Sequence, residues 1–102
     1  MKRLVRRARA DDDVVAAVDF YAGESLTLAR AFIDELERVY RHIQRQPGSG
    51  SPRYAHELQL PGLRFCPMRR FPHLVFYSEG ADVIEVWRVL HGKRDIPDWL
   101  VR

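Results

Sequence analysis

Apolar positions recur along this chain at two different periods, and the change of period divides it into two halves. Val14, Val18 and Tyr21 fall four and three residues apart, with Val15 and Ala22 on the adjacent ridge. That spacing predicts one amphipathic helical face over about three turns. Asp11 or Asp12 supplies an N-cap, and the acidic run Asp11-Asp12-Asp13 suits the positive end of a helix dipole. Gly23 stops this helix and Ser25 caps a second, in which Ala29, Phe32, Leu36, Val39, Tyr40 and Ile43 repeat at helical spacing. Arg30, Asp34, Glu37, Arg38, Arg41 and Arg45 fall mostly on the other side, where Asp34–Arg38 and Glu37–Arg41 have the spacing of favourable ion pairs. Pro47-Gly48 ends it. With only Gly23-Glu24-Ser25 between them, the two helices are expected to form an antiparallel hairpin.

The short linker Pro47-Gly48-Ser49-Gly50-Ser51-Pro52 leads into a half with strand periodicity. Leu63–Arg69 alternates loosely, and Pro67 restricts it to a sheet edge or a bulge. Arg70-Phe71-Pro72 reads as a turn, His73–Ser78 as a strand, and Glu79-Gly80-Ala81-Asp82 as a hairpin connection. Val83–Leu90 is the strongest strand pattern, with odd positions on one face and even positions, Arg88 among aliphatics, on the other. Lys2–Arg7 reads as a further strand before the helices, and Asp98–Leu100 as a last helical turn. The expected architecture is α+β, in the order β-α-α-β-β-β, with the helical hairpin on one face of a mostly antiparallel sheet.

Composition narrows the class. A chain of 102 residues suits a single domain spanning 1–102. The lone Cys66 excludes an internal disulfide scaffold and a cysteine-based metal cluster, and within a strand pattern it reads as core packing. Apolar runs fall short of the ~18 residues of a membrane helix, so a small soluble cytoplasmic domain is expected. Net charge is only +3 but unevenly spread: residues 1–9 carry +5, residues 10–46 carry −4 and residues 47–102 carry +2. Fifteen of the 17 cations are arginine, whose planar fork suits carboxylates, phosphates and aromatic faces.

No glycine-rich phosphate loop, HExxH, CxxC or GxSxG motif is present. The four histidines are not spaced for a metal, and no cofactor is expected. His42 falls inside the second helix, while His56 and His73 border strand ends as polar termini. A convergence of cations is the more informative feature. Arg64, Arg69 and Arg70 come from the first hairpin, and Arg88, His91, Lys93 and Arg94 from the end of the last strand. If the strands form a meander, several share one rim of the sheet. Such a rim is open to two interpretations. It is a phosphate-contacting site with His91 as acid or base, or a solvated strand end whose arginines pair with Glu57, Glu85 and Asp95.

Three segments carry a family resemblance: Leu60–Arg64, Arg70–Tyr77, and Ile84–Asp95, with its Arg88-Val89-Leu90-His91 followed by Arg94-Asp95. Together with the helical half and Pro47-Gly48, they resemble the ParE branch of the RelE/ParE toxin superfamily over nearly the whole chain. The resemblance implies the toxin of a type II toxin–antitoxin pair. Its cognate antitoxin would have a DNA-binding part and a C-terminal segment that folds onto the toxin. Toxins of this branch inhibit DNA gyrase by binding, whereas RelE-type relatives cut messenger RNA in the ribosome. For the first activity no catalytic residue is expected, and Arg64, Arg69, Arg70, Arg88, His91, Lys93 and Arg94 are the expected contacts. For the second, Arg64 and Arg88 would hold the scissile phosphate and His91 would move the proton. The hairpin holds no lysine, since Lys2 and Lys93 are the only two, which separates it from the lysine-bearing nuclease pattern.

Overall fold

The computed structural model describes residues 1–101. Its elements are β1 (Arg3–Arg6), α1 (Ala8–Ala22), α2 (Leu26–Arg45), α3 (Arg53–Glu57), β2 (Leu63–Pro67), β3 (His73–Glu79), β4 (Val83–His91) and α4 (Ile96–Leu100), with a 3-10 turn at Pro47–Ser49. The four strands form one sheet in the order β1-β4-β3-β2. β1 runs parallel to β4, and the other pairings are antiparallel. The class is α+β, as the pattern predicts, and Pro67 sits on an edge strand. The expected span ends at Arg102, which lies outside the described residues.

α1 begins earlier than the acidic run suggests. The Arg7 amide donates to the Val86 carbonyl at 2.9 Å, extending the β1–β4 pairing by one residue, and the helix starts directly after it at Ala8. Arg7 is thus the N-cap, with no side-chain cap bond, and Asp11–Asp13 lie inside the helix. Ser25 does cap α2, accepting from the Leu28 amide at 2.9 Å. The predicted Asp34–Arg38 pair is replaced by Glu35–Arg38, with two hydrogen bonds of 2.6 and 2.9 Å. Glu35 is drawn there because it also accepts from the Arg69 amide at 2.6 Å, which anchors the β2–β3 turn to α2. The Arg38 bond, with the Arg69 amide, holds the Glu35 carboxyl below its ordinary range against the opposing effect of burial. The helix α3 follows the linker without a matching sequence expectation.

Each face of the sheet carries its own core. Phe32, Leu36, Val39 and Ile43 of α2, with Ala10 of α1, cover Val75, Tyr77, Ile84, Val86 and Val89. On the other face Leu63, Phe76 and Leu90 pack with Ile96 and Leu100 of α4, beside Tyr54 and Leu58. Which β4 residues join each core is set by an irregularity in that strand. Tyr77 pairs with Val86 but Phe76 pairs with Arg88, so Trp87 is an extra residue in β4. Ile84 and Val86 face α1 and α2 from even positions, whereas beyond the bulge Val89 takes that face from an odd one. Strict odd–even alternation therefore fails at Trp87, and Arg88 leaves the sheet on the face of its pairing neighbour Phe76. No described helix is long and apolar enough to cross a membrane.

Candidate partner-binding site at one end of the sheet

The β3–β4 register sets His73 opposite His91. Beyond that pair the Gly92 amide donates to the Pro72 carbonyl at 2.6 Å, drawing the chain after β4 against the β2–β3 turn. A Cβ at position 92 would lie 3.0 Å from that carbonyl oxygen, which favours glycine there. One end of the sheet consequently carries Arg69, Arg70, His91, Lys93 and Arg94. The side chains of Arg69, Arg70, Lys93 and Arg94 form no salt bridge among the described residues.

Arg64 and Arg88 do not join them. Arg64 lies opposite Tyr77 on the edge strand β2, toward the end of β3 away from His73, and its guanidinium donates to the Gly50 carbonyl at 2.7 Å. The Tyr77 hydroxyl accepts from the Gly50 amide at 3.0 Å and donates to the Pro47 carbonyl at 2.7 Å, so Arg64 and Tyr77 together pin the linker. A Cβ at Gly50 would collide with that hydroxyl.

Arg88 is 7% exposed. Its Nε and Nη2 each donate to an Asp13 carboxylate oxygen at 2.8 Å, and its Nη1 donates to the Trp99 carbonyl at 2.7 Å. The Val89 amide adds a 2.9 Å bond to Asp13. This fork-to-fork pair ties α1, β4 and α4 together, and Asp13 holds the guanidinium even more firmly protonated. The bulge at Trp87 makes the tie possible by turning Arg88 toward α4. Neither Glu85 nor Asp95 meets a rim cation: Glu85 pairs with Arg7 at 2.7 Å, and Asp95 caps α4 by accepting from the Asp98 amide. Glu57 forms no salt bridge among the described residues.

Beside the cationic end, α1 and β4 enclose a groove of about 480 Å³. Ala16, Ala17, Phe20 and Tyr21 form one wall, Val89, Leu90 and His73 lie across from them, and His91, Lys93 and Arg94 also line it. His73 does open β3, as expected, but it is buried rather than a solvated polar end. It is 8% exposed, with its ring 5.0 Å from Phe32, 6.1 Å from Tyr21 and 5.4 Å from His91, centroid to centroid. Its Nδ1 is buried with no hydrogen-bond partner among the described residues. Burial chiefly, then the neighbouring His91 and Arg94, push its pKa down to about 4 against the opposing pull of Asp13. His73 is therefore neutral at physiological pH. The His91 Nδ1 accepts from the Lys93 amide at 3.1 Å, which in the neutral ring leaves the proton on Nε2.

Chemically, this arrangement offers cations and an apolar wall rather than an assembled proton-transfer site. Arg88 and His91 leave opposite faces of the sheet, and Arg64 is committed to Gly50. Cys66 is half-buried against the first core, and burial raises its thiol pKa. No group of His, Cys, Asp or Glu suited to a metal ion occurs among the described residues. Sequence inspection overlooked Asp13, Phe20 and His73 as site residues. Asp13 looked like one of a capping run, and only an apolar residue just off the α1 core stripe could have pointed to Phe20.

This end of the sheet thus combines exposed cations with an apolar wall, a surface suited to contact with another macromolecule. The chain belongs to the family of ParE toxins of type II toxin–antitoxin systems (parDE), whose model matches residues 4–96. Membership implies an antitoxin partner. A solved structure titled "Chromosomal ParDE TA system from P. aeruginosa" has a TM-score of 0.74 at 20% identity, covering 89% of this chain and 96% of that one, and so shares the fold. None of the curated proteins is similar to it in sequence.

Proposed function

We propose that this toxin acts in the cytoplasm by binding DNA gyrase, leaving broken DNA and blocking replication until the cognate antitoxin removes it. The contact set is Arg69, Arg70, His91, Lys93 and Arg94, with Arg64 and Arg88 as the residues that hold the surface in shape. The supporting observation is the gathering of those cations at one end of the sheet while Arg64 and Arg88 are engaged elsewhere. Unpaired arginines and lysines suit an enzyme–DNA complex, where phosphate contact makes binding strongly salt-dependent. The alternative, a ribosome-dependent mRNA endonuclease, needs Arg64 and Arg88 on one phosphate beside His91, and that convergence would require breaking the Asp13 tie.

The test is a supercoiling assay with purified gyrase, relaxed plasmid and antitoxin-free toxin. Blocked supercoiling, or linear DNA trapped with gyrase and rescued by antitoxin, is the expected result. His91→Ala retains most of the inhibition, because no proton transfer is involved. Absence of any effect on gyrase, together with ribosome-dependent cleavage that drops ~10²–10⁴-fold in His91→Ala, establishes the nuclease instead.

A further inference from the structure

Two buried or half-buried imidazoles give the groove between α1 and β4 a donor set that macromolecular contact does not require. The His73 Nδ1 is sealed from solvent with no hydrogen-bond partner among the described residues, whereas its Nε2 is not sealed. An N–H that reaches neither an acceptor nor water is costly, so the neutral ring carries its proton on Nε2, the nitrogen it presents to the groove. His91 is in the same tautomer, because its Nδ1 accepts from the Lys93 amide at 3.1 Å. The two rings lie 5.4 Å apart, centroid to centroid. Lys93 and Arg94 line the same end, and the Arg94 guanidinium is held 3.9 Å from the centre of the Trp99 ring. Asp13 is the only acid among the described lining residues, and both its carboxylate oxygens are engaged, by Arg88 and by the Val89 amide. Four donors and no free carboxylate therefore meet at this end, which is the chemistry of an anion site.

The form of the anion follows from where the donors originate: the start of β3, the end of β4 and the turn after it. A planar carboxylate serves two such groups well, whereas a tetrahedral phosphate offers three oxygens and serves all four. His73, 8% exposed, is open to a terminal phosphate but too deep for an internal phosphodiester, whose chain continues on both sides. Beside the donors, Ala16 and Ala17 leave a slot bounded by the Phe20 and Tyr21 rings and by Val89 and Leu90. Phe20 is 65% exposed, so a planar ring in the slot buries apolar surface on both partners. The groove's volume of about 480 Å³ is that of a small-molecule site. We propose that it binds a small aromatic phosphate monoester of nucleoside monophosphate size. The phosphate lies on His73 Nε2, His91 Nε2, Lys93 and Arg94, and the ring lies against Ala16 and Ala17 beside Phe20. This site does not depend on the identity of the toxin's target.

The experiment is calorimetric titration of adenosine monophosphate, adenosine and inorganic phosphate into antitoxin-free toxin at about 0.15 M salt. Circular dichroism and Tm establish that each variant is folded. The monophosphate is expected to bind at least about tenfold more tightly than adenosine or phosphate, because it alone uses both ends of the groove. Ala16→Trp, which fills the slot from an exposed helical position, is expected to weaken that binding by about a hundredfold. His73→Phe keeps a ring in place but removes the Nε2 donor, and is expected to weaken it by about tenfold. Arg30→Ala removes a charge from an exposed position on α2 and should leave it unchanged. In wild-type toxin isotopically labelled at the histidine nitrogens, the monophosphate should shift the Nε2 resonances of both His73 and His91, a readout that needs no substitution. The proposal is overturned by absence of binding at millimolar monophosphate, or by equal affinity for monophosphate and inorganic phosphate. Equal weakening in Arg30→Ala and His73→Phe also overturns it, as do histidine resonances that stay fixed at saturation. None of these outcomes involves gyrase, so failure of the proposed target leaves them unaffected.

Discussion

Arg88 and Arg94 belong to the same stretch of chain, yet Arg88 spends its guanidinium on Asp13 and Trp99 while Arg94 lies over an aromatic ring at the rim. The difference is one of desolvation. A charge withdrawn from water is stable only if its donors find acceptors, so Arg88 required Asp13 on α1 and a carbonyl on α4. At the rim no such demand applies, and cations persist there without a carboxylate partner among the described residues. A toxin that must meet both a target and an antitoxin is well served by this division: the buried arginine holds the surface together, and the exposed ones remain available. His73 stands between the two, a titratable ring buried at the base of the cationic end, its Nδ1 without a hydrogen-bond partner among the described residues.

The comparison can be broken most forcefully at Arg88. Arg88→Ala leaves Asp13 as an uncompensated, largely buried carboxylate and should cost about 3–5 kcal/mol in equilibrium urea unfolding. A loss under 1 kcal/mol would show that the tie contributes little. The next largest effect is a pH dependence. Folding lowers the His73 pKa from 6.5 to about 4, so in that window the unfolded chain takes up a proton that the folded chain refuses. The sign follows: stability is fully present above pH 6.5 and falls as pH drops toward 4, by up to about 3 kcal/mol. His73→Phe should flatten that part of the profile, and an identical slope in variant and wild type would contradict the placement of His73.

Arg88→Lys sharpens the contrast further. It keeps the charge but not the fork, and should destabilise by about 1–2 kcal/mol in the same unfolding experiment. The smallest effect belongs to the rim: Arg94→Glu should change folding stability by less than about 0.5 kcal/mol while still weakening inhibition of the proposed target. A large loss of stability there would mean that Arg94 is structural after all, and the distinction between the two arginines would fall.

Much of the architecture was legible in local pattern. The helix hairpin followed from the three-and-four spacing between Val14 and Ile43, the Ser25 cap and the Pro47-Gly48 stop, all of which act within a turn or two of chain. The strands of the second half followed from β-branched and aromatic runs separated by turn residues, and the family motif lay in the same segments. The start of α1 was misread because Asp11–Asp13 offered good local capping chemistry, while Arg7 was claimed by a long-range bond to Val86. The site divided along the same line. Arg69, Arg70, His91, Lys93 and Arg94 share an end simply because turns and strand termini in a meander fall together. The fate of Arg88 depended on one extra residue, Trp87, which reverses the alternation of β4, and on an acid from a helix far away in sequence. Periodicity carries information over a few residues, so it set the elements and the end at which the cations lie. Which face Arg88 takes, which acid it meets and how deeply His73 is buried depend on register and packing between distant segments, and these exist only once the sheet has closed on its helices.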